Sequence, residues 1–124
     1  MSQRSCIIRS VMATPEGKIQ LAIMKYLRSH GVLLWRHEPN TYNHALGRHV
    51  ANPYAMKGVP DILAIHPDGS GRFLGIEVKT PKGRQSADQV LFQKRCESLG
   101  GVYILARSVD DVVGLIEPPN EATP

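Results

Sequence analysis

Lys57-Gly58-Val59-Pro60-Asp61-Ile62-Leu63-Ala64-Ile65-His66, then Pro67-Asp68-Gly69-Ser70-Gly71, then Arg72-Phe73-Leu74-Gly75-Ile76-Glu77-Val78-Lys79 is the stretch on which the fold turns. Asp61 to His66 has strand length and composition, Pro67 to Gly71 is a cluster of turn formers, and Arg72 to Lys79 reads as the returning strand of a hairpin. The two strands are of similar length, so Asp61 at the start of one falls near Lys79 at the end of the other. Side chains alternate along a strand: Leu74, Ile76 and Val78 share the core face, and Glu77 and Lys79 emerge together on the other. Two carboxylates and an ammonium therefore converge at one end of a sheet.

Upstream of the hairpin, Thr14 suits a helix N-cap, Pro15 the first helical position and Glu16 the positive end of the dipole. Ile19, Ala22, Ile23, Tyr26 and Leu27 repeat at helical spacing, and Gly31 closes the helix. Val32 to Trp35 is a short apolar run of strand length, with Trp35 reading as core. Glu38 to Gly58 has no periodicity, mixes Tyr42, His44, Arg48, His49 and Tyr54, and has room for a short strand. Such a long irregular stretch inside a small domain is usually functional or mobile.

Downstream, Pro81 ends the strand and Lys82 to Gln85 is a loop. Ser86 caps a helix from Ala87 to Leu99, and Gly100-Gly101 stop it. Val102 to Ala106 is apolar enough for an internal strand. Ser108 caps a last helix to about Ile116, and Pro118-Pro119 end regular structure. The order is αβββαβα. The helix before Val102 is long enough for a crossover, so the strands ending at Lys79 and Ala106 are expected to run parallel within a mixed sheet flanked by helices.

With 124 residues, the chain is expected to form one domain over 14–116, with a flexible arm at 1–13 and a disordered tail at 117–124. No apolar run approaches the ~20 residues that span a bilayer, and Arg9 interrupts any secretory core, so the protein is expected in the cytoplasm. Cys6 and Cys96, far apart and without paired spacing, read as reduced thiols, Cys96 as core filling. The net charge of +4 is a mild excess, but its distribution is uneven. No Asp or Glu occurs from Pro39 to Pro60 or from Val78 to Ala87, and those stretches hold Arg48, Lys57, Lys79, Lys82 and Arg84. That pattern fits either a solvated basic face or a nucleic-acid footprint.

An acid and a base spaced as Glu77 and Lys79 are explained equally well by a salt bridge. Asp61 shifts the balance. Two carboxylates brought together repel unless a cation lies between them, and hard oxygens are what Mg²⁺ takes. The five histidines lack the cysteine partners typical of structural zinc sites.

Gly58-Val59-Pro60-Asp61 followed by Glu77-x-Lys79 resembles the PD-(D/E)xK nuclease superfamily. More narrowly the chain is similar to its stand-alone VRR-NUC branch, found in phage and bacterial proteins. The resemblance runs from about Pro15 to Ile116 and includes Thr80-Pro81-Lys82-Gly83-Arg84, Ser86-Ala87-Asp88-Gln89, Gly100-Gly101 and Glu16. It implies a restriction-endonuclease-like αβββαβα core and metal-dependent hydrolysis of DNA phosphodiesters, on branched DNA of the Holliday-junction kind, by a homodimer. By the same resemblance Asp61 and Glu77, with the Val78 carbonyl, would bind Mg²⁺ or Mn²⁺, and Lys79 would orient or deprotonate water and offset charge on the phosphate. Glu16 would be a further acidic residue near the metal, or simply a dipole-favoured Glu. Gln89 would bond Lys79 or a phosphate, or else complete a capping box with Ser86. Lys57, Lys82, Arg84 and Arg48 would contact DNA. The alternative is a DNA-binding or interaction module that kept the fold without catalysis.

Overall fold

The structure is a computed structural model, and it describes residues 14–38 and 40–116. The expectations for the arm 1–13 and the tail 117–124 lie outside the described residues.

The first helix, α1 (Pro15–Ser29), starts where capping chemistry puts it: Thr14 Oγ1 accepts from Gly17 N–H at 3.0 Å. Its inward face differs from the apolar stripe of the sequence. Gly17, Gln20, Ile23 and Leu27 are buried, whereas Ala22 is exposed. Gln20 tolerates burial because its Oε1 accepts from Arg36 Nε at 2.8 Å.

Strands β1 (Leu34–Arg36), β4 (Ile62–Ile65), β5 (Phe73–Val78) and β6 (Val102–Ala106) form one sheet in the order β1-β4-β5-β6. The pairs β1–β4 and β4–β5 are antiparallel, and β5–β6 is parallel, as the crossover helix α2 (Ala87–Ser98) requires. Leu74, Ile76 and Val78 of β5 join Ile62, Ala64, Ile23, Leu27, Ala106 and Val112 in the main core, all fully buried. Each Val, Leu or Ile side chain among them contributes about 1.5–3 kcal/mol of burial. The opposite face of β5 looks toward α2, where Phe73, Phe92 and Tyr103 stack in series.

Several expectations need correcting. The irregular stretch after Glu38 holds a hairpin, β2 (Asn40–Asn43) paired antiparallel with β3 (Arg48–Ala51) as a separate two-stranded sheet. Its strands carry few apolar residues because they do not join the main core. β6 is an edge strand, and its apolar character comes from the cover that α2 and the short α3 (Asp110–Val113) provide. That last helix is a single turn with Val109, not Ser108, at its N-cap, and Ser108 contributes only its carbonyl to Asp111 N–H. Trp35 is 44% exposed on the edge strand β1 and is not core. Cys96 is only half-buried, against Gly101.

Candidate active site

Four strand ends meet on one side of the sheet: the C-terminal ends of β1, β5 and β6 and the N-terminal end of β4. The β4–β5 register pairs Ile62 with Ile76, so one further step sets Asp61 opposite Glu77, not Lys79 as equal strand lengths suggested. Asp61 is anchored twice. Its carbonyl accepts from His37 N–H at 2.8 Å, and its Oδ2 accepts from Val78 N–H at 2.9 Å.

That second bond has a cause in the chain. Alternate residues of β4 bond to β5, as the His66 N–H to Arg72 carbonyl bond at 2.9 Å shows at the other end of the pair. By the same alternation, residue 60 would donate to the Val78 carbonyl. Residue 60 is proline and has no N–H. The ladder stops there: the Asp61 carboxylate takes over the Val78 N–H, and the Val78 carbonyl keeps an acceptor without a strand donor. Pro60 is itself buried, packed over Gly75, where any Cβ would come within 2.7 Å of Pro60 Cγ.

Glu77, expected to emerge with Lys79 on the face away from the core, is 1% exposed. Its Oε1 accepts from Gln89 Nε2 at 2.9 Å and lies 3.7 Å from Lys79 Nζ. Its Oε2 is buried with no hydrogen-bond partner among the described residues. Leaving a buried carboxylate oxygen unpaired is costly, so such an atom marks a position where a further partner belongs. Burial pushes the Glu77 carboxyl up to about 8; the neighbouring Asp61 charge adds to the rise, as does a hydrogen bond shared with the Asp61 carboxylate when Glu77 is protonated, and Lys79 opposes it. Glu16, at the first turn of α1, is raised by burial and then by Asp61, with Lys79 opposing. It therefore belongs to the same electrostatic group. Among the described residues, however, no three His, Cys, Asp or Glu side chains lie close enough together to hold one ion. The structure does not place Glu16 as a third ligand.

Gln89 was expected to serve either the helix cap or the site, and it serves both. Its Oε1 accepts from Ser86 N–H at 2.8 Å and its N–H donates to Ser86 Oγ at 3.2 Å, which completes a capping box. Its remaining amide hydrogens face Glu77, not Lys79. Gly58 sets this distance: with φ at 79° it lies against the first turn of α2, where a Cβ would clash with the Asp88 carbonyl. Only glycine combines that backbone conformation with so close an approach.

The basic candidates are spread more widely. Lys82 and Arg84 are exposed on the segment after β5, on the carboxylate side. Lys57 lines a separate cavity of about 620 Å³ beneath the outer part of α2, with Phe73, Leu91, Phe92 and Leu99. Arg48 stands on β3 of the separate hairpin. Sequence reasoning missed Gln20 and Arg36, which pair beside the end of β4, and Arg107 after β6. Charge at a strand end was the available signal for both arginines.

The residues present suit a hard divalent ion. They offer two carboxylates, one with an orphaned buried oxygen, and a main-chain carbonyl freed by proline.

No family model and no curated protein matched the chain. Among solved structures, one described as a VRR_NUC domain superposes with a TM-score of 0.60 at 25% identity, covering 86% of this chain and 99% of that one. The neighbour shares the mixed sheet with flanking helices, a nuclease-family architecture. With motif order, element order and fold in agreement, the chain is similar to a VRR-NUC domain and has a restriction-endonuclease-like fold.

Proposed function

We propose that this protein is a divalent-metal-dependent deoxyribonuclease, with Asp61, Glu77 and the Val78 carbonyl holding Mg²⁺ or Mn²⁺ and Lys79 beside them. The observation that carries this is the buried Glu77 carboxyl set against Asp61, with Oε2 given no donor by the described residues. A purely structural Glu77–Lys79 ion pair would have no use for a second oxygen left dry.

When bound, the ion would supply positive charge to the phosphate and acidity to a water. The chain's own residues do the rest. Gln89 fixes the Glu77 rotamer through Oε1, so Oε2 keeps one direction. Lys79 Nζ, anchored by Glu77, offers a donor to a phosphoryl oxygen as negative charge builds there. Its own backbone is held by the Lys79 N–H to Ala106 carbonyl bond at 3.0 Å. Glu16 stays close enough to raise the Glu77 carboxyl without binding directly.

The substrate is proposed to be branched DNA and the working unit a homodimer, in which each copy cuts one strand. Both follow from the resemblance. The exposed leucines Leu91 and Leu99 on the outer side of α2, with Met56 beside the cavity, supply an apolar surface a second copy would cover.

The test is cleavage of four-way junction, flap, linear duplex and single-stranded DNA with Mn²⁺, with Mg²⁺ and with EDTA. Asp61→Ala, Glu77→Ala and Lys79→Ala should each abolish turnover while the protein stays folded. Full activity in EDTA, or in Asp61→Ala, would overturn the assignment.

A further inference from the structure

Arg107 belongs to none of the motif segments, yet it makes the densest side-chain contact at the active end of the sheet. A single guanidinium nitrogen, Nη1, donates to the carbonyl oxygens of Thr80 at 2.6 Å, Gly83 at 2.8 Å and Pro81 at 3.3 Å. The Arg107 backbone N–H donates to Asp111 Oδ2 at 2.8 Å, which seats the residue against α3. The Thr80 carbonyl also accepts from Gly83 N–H at 2.9 Å, closing a tight turn with Pro81 at the position where its fixed φ helps. Three carbonyl dipoles aimed at one point repel each other unless a cation sits there. Arg107 is that cation.

The turn it holds follows Lys79 directly, displays Lys82 on its outer side and leads into Arg84. Parallel pairing of β5 with β6 brings the two strand ends together, so Arg107 reaches the turn without a lid or a long loop.

We infer that Arg107 is a positioning residue for DNA contact: it fixes the Thr80–Gly83 turn so that Lys82 and Arg84 meet phosphates beside the carboxylate centre. It acts through those two side chains and does not touch DNA itself. The inference rests on the proposed nuclease activity, and its test separates the two.

The measurement is binding of four-way junction and linear duplex DNA in Ca²⁺, read by fluorescence anisotropy across a salt series. Arg107→Met keeps much of the side-chain volume and removes every donor. It should weaken binding roughly tenfold, as expected when two phosphate contacts lose their fixed position. Arg107→Lys places an ammonium with three donors before the three carbonyls and should restore most of the affinity. In a Lys82→Ala/Arg84→Ala background, Arg107→Met should add little further loss, because its route to DNA is already gone. Pro81→Gly loosens the same turn from the other side and should reproduce the loss, which keeps the question decidable if Arg107→Met does not fold. Wild-type affinity in both Arg107→Met and Pro81→Gly would overturn the inference. So would an undiminished loss in the double-substituted background, which would mean that Arg107 touches phosphate directly. Absence of DNA binding and cleavage by the wild-type protein would overturn the nuclease assignment instead.

Discussion

Glu77 gathers burial, charge and hydrogen bonding into one side chain. The ion-free folded protein holds its carboxyl protonated up to about pH 8, whereas an exposed Glu gives up the proton near 4.5. Between those values the folded state binds a proton that the unfolded chain has released. Stability from this group is therefore complete below the lower value and is lost as pH rises toward the upper one. Thermal midpoints in EDTA should fall across that window. Glu77→Gln keeps the acceptor for Gln89 and cannot ionise, so it should flatten the fall and be more stable than wild type at pH 8, while being inactive. A wild-type midpoint that rises over the same window would contradict the burial of Glu77. That Asp61, Glu77 and Lys79 gather at one end of the sheet was legible from strand alternation and a short turn, although the register sets Asp61 opposite Glu77 and not Lys79. The burial of Glu77 was not, since alternation names a face but not what covers it. Here α2 covers it, through Gln89.

At the scale of elements, the hairpin of β4 and β5 and the crossover helix α2 carry the candidate site, and Gly58 sets their spacing. Gly58 lets the approach to β4 lie flat against the first turn of α2. Gly58→Ala introduces both a left-handed strain and a clash with the Asp88 carbonyl, so it should cost more than about 1 kcal/mol. Because it pushes Gln89 away from Glu77, it should also lower turnover by more than its effect on stability explains; equal activity per folded molecule would refute that link. The two long helices and the four sheet strands were readable because caps, stop signals and apolar runs mark them: Thr14-Pro15, Ser86 with Gln89, Gly31 and Gly100-Gly101; the last helix, a single turn without a side-chain cap, was read too long. β2 and β3 were not. Their strands are polar, stand apart from the core and so carry no burial period. Gln20 escaped for a related reason, since its burial depends on Arg36 sixteen residues away.

Across the described residues, basic side chains lie both at the carboxylate end and around the apolar cavity, where Lys57, Arg72 and Arg95 stand among Phe73, Leu91, Phe92 and Leu99. Lys82 and Arg84 sit at the carboxylate end, and Lys57 lies by the cavity under α2. Replacing each by alanine should flatten the slope of log K against log salt on duplex DNA by about 0.9 if it touches a phosphate. The prediction is sharper for Lys82 and Arg84 than for Lys57, whose neighbours Leu91 and Leu99 belong to the apolar face. A Lys57→Ala slope that changes as much as theirs would show that DNA runs around the α2 side. Leu99, 84% exposed, is the natural probe of assembly. Leu99→Glu should shift sedimentation toward monomer and lower cutting of both strands of a junction, without loss of single-strand nicking. Unchanged sedimentation would place any dimer contact elsewhere. Charge runs made the basic side visible in the sequence, whereas the apolar face was hidden because Leu91 and Leu99 fit a helix facing inward equally well.

Gln89 leaves evolution little room at one position. Glutamate would satisfy the capping box with Ser86 as well as glutamine does, but it would set a third carboxylate against Glu77. Alanine would be tolerated by the helix and would abandon the carboxylate. Lysine would neutralise Glu77 and lose the side-chain half of the capping box. A lineage under selection for fold alone has several exits from glutamine here, and a lineage under selection for fold and chemistry together has almost none.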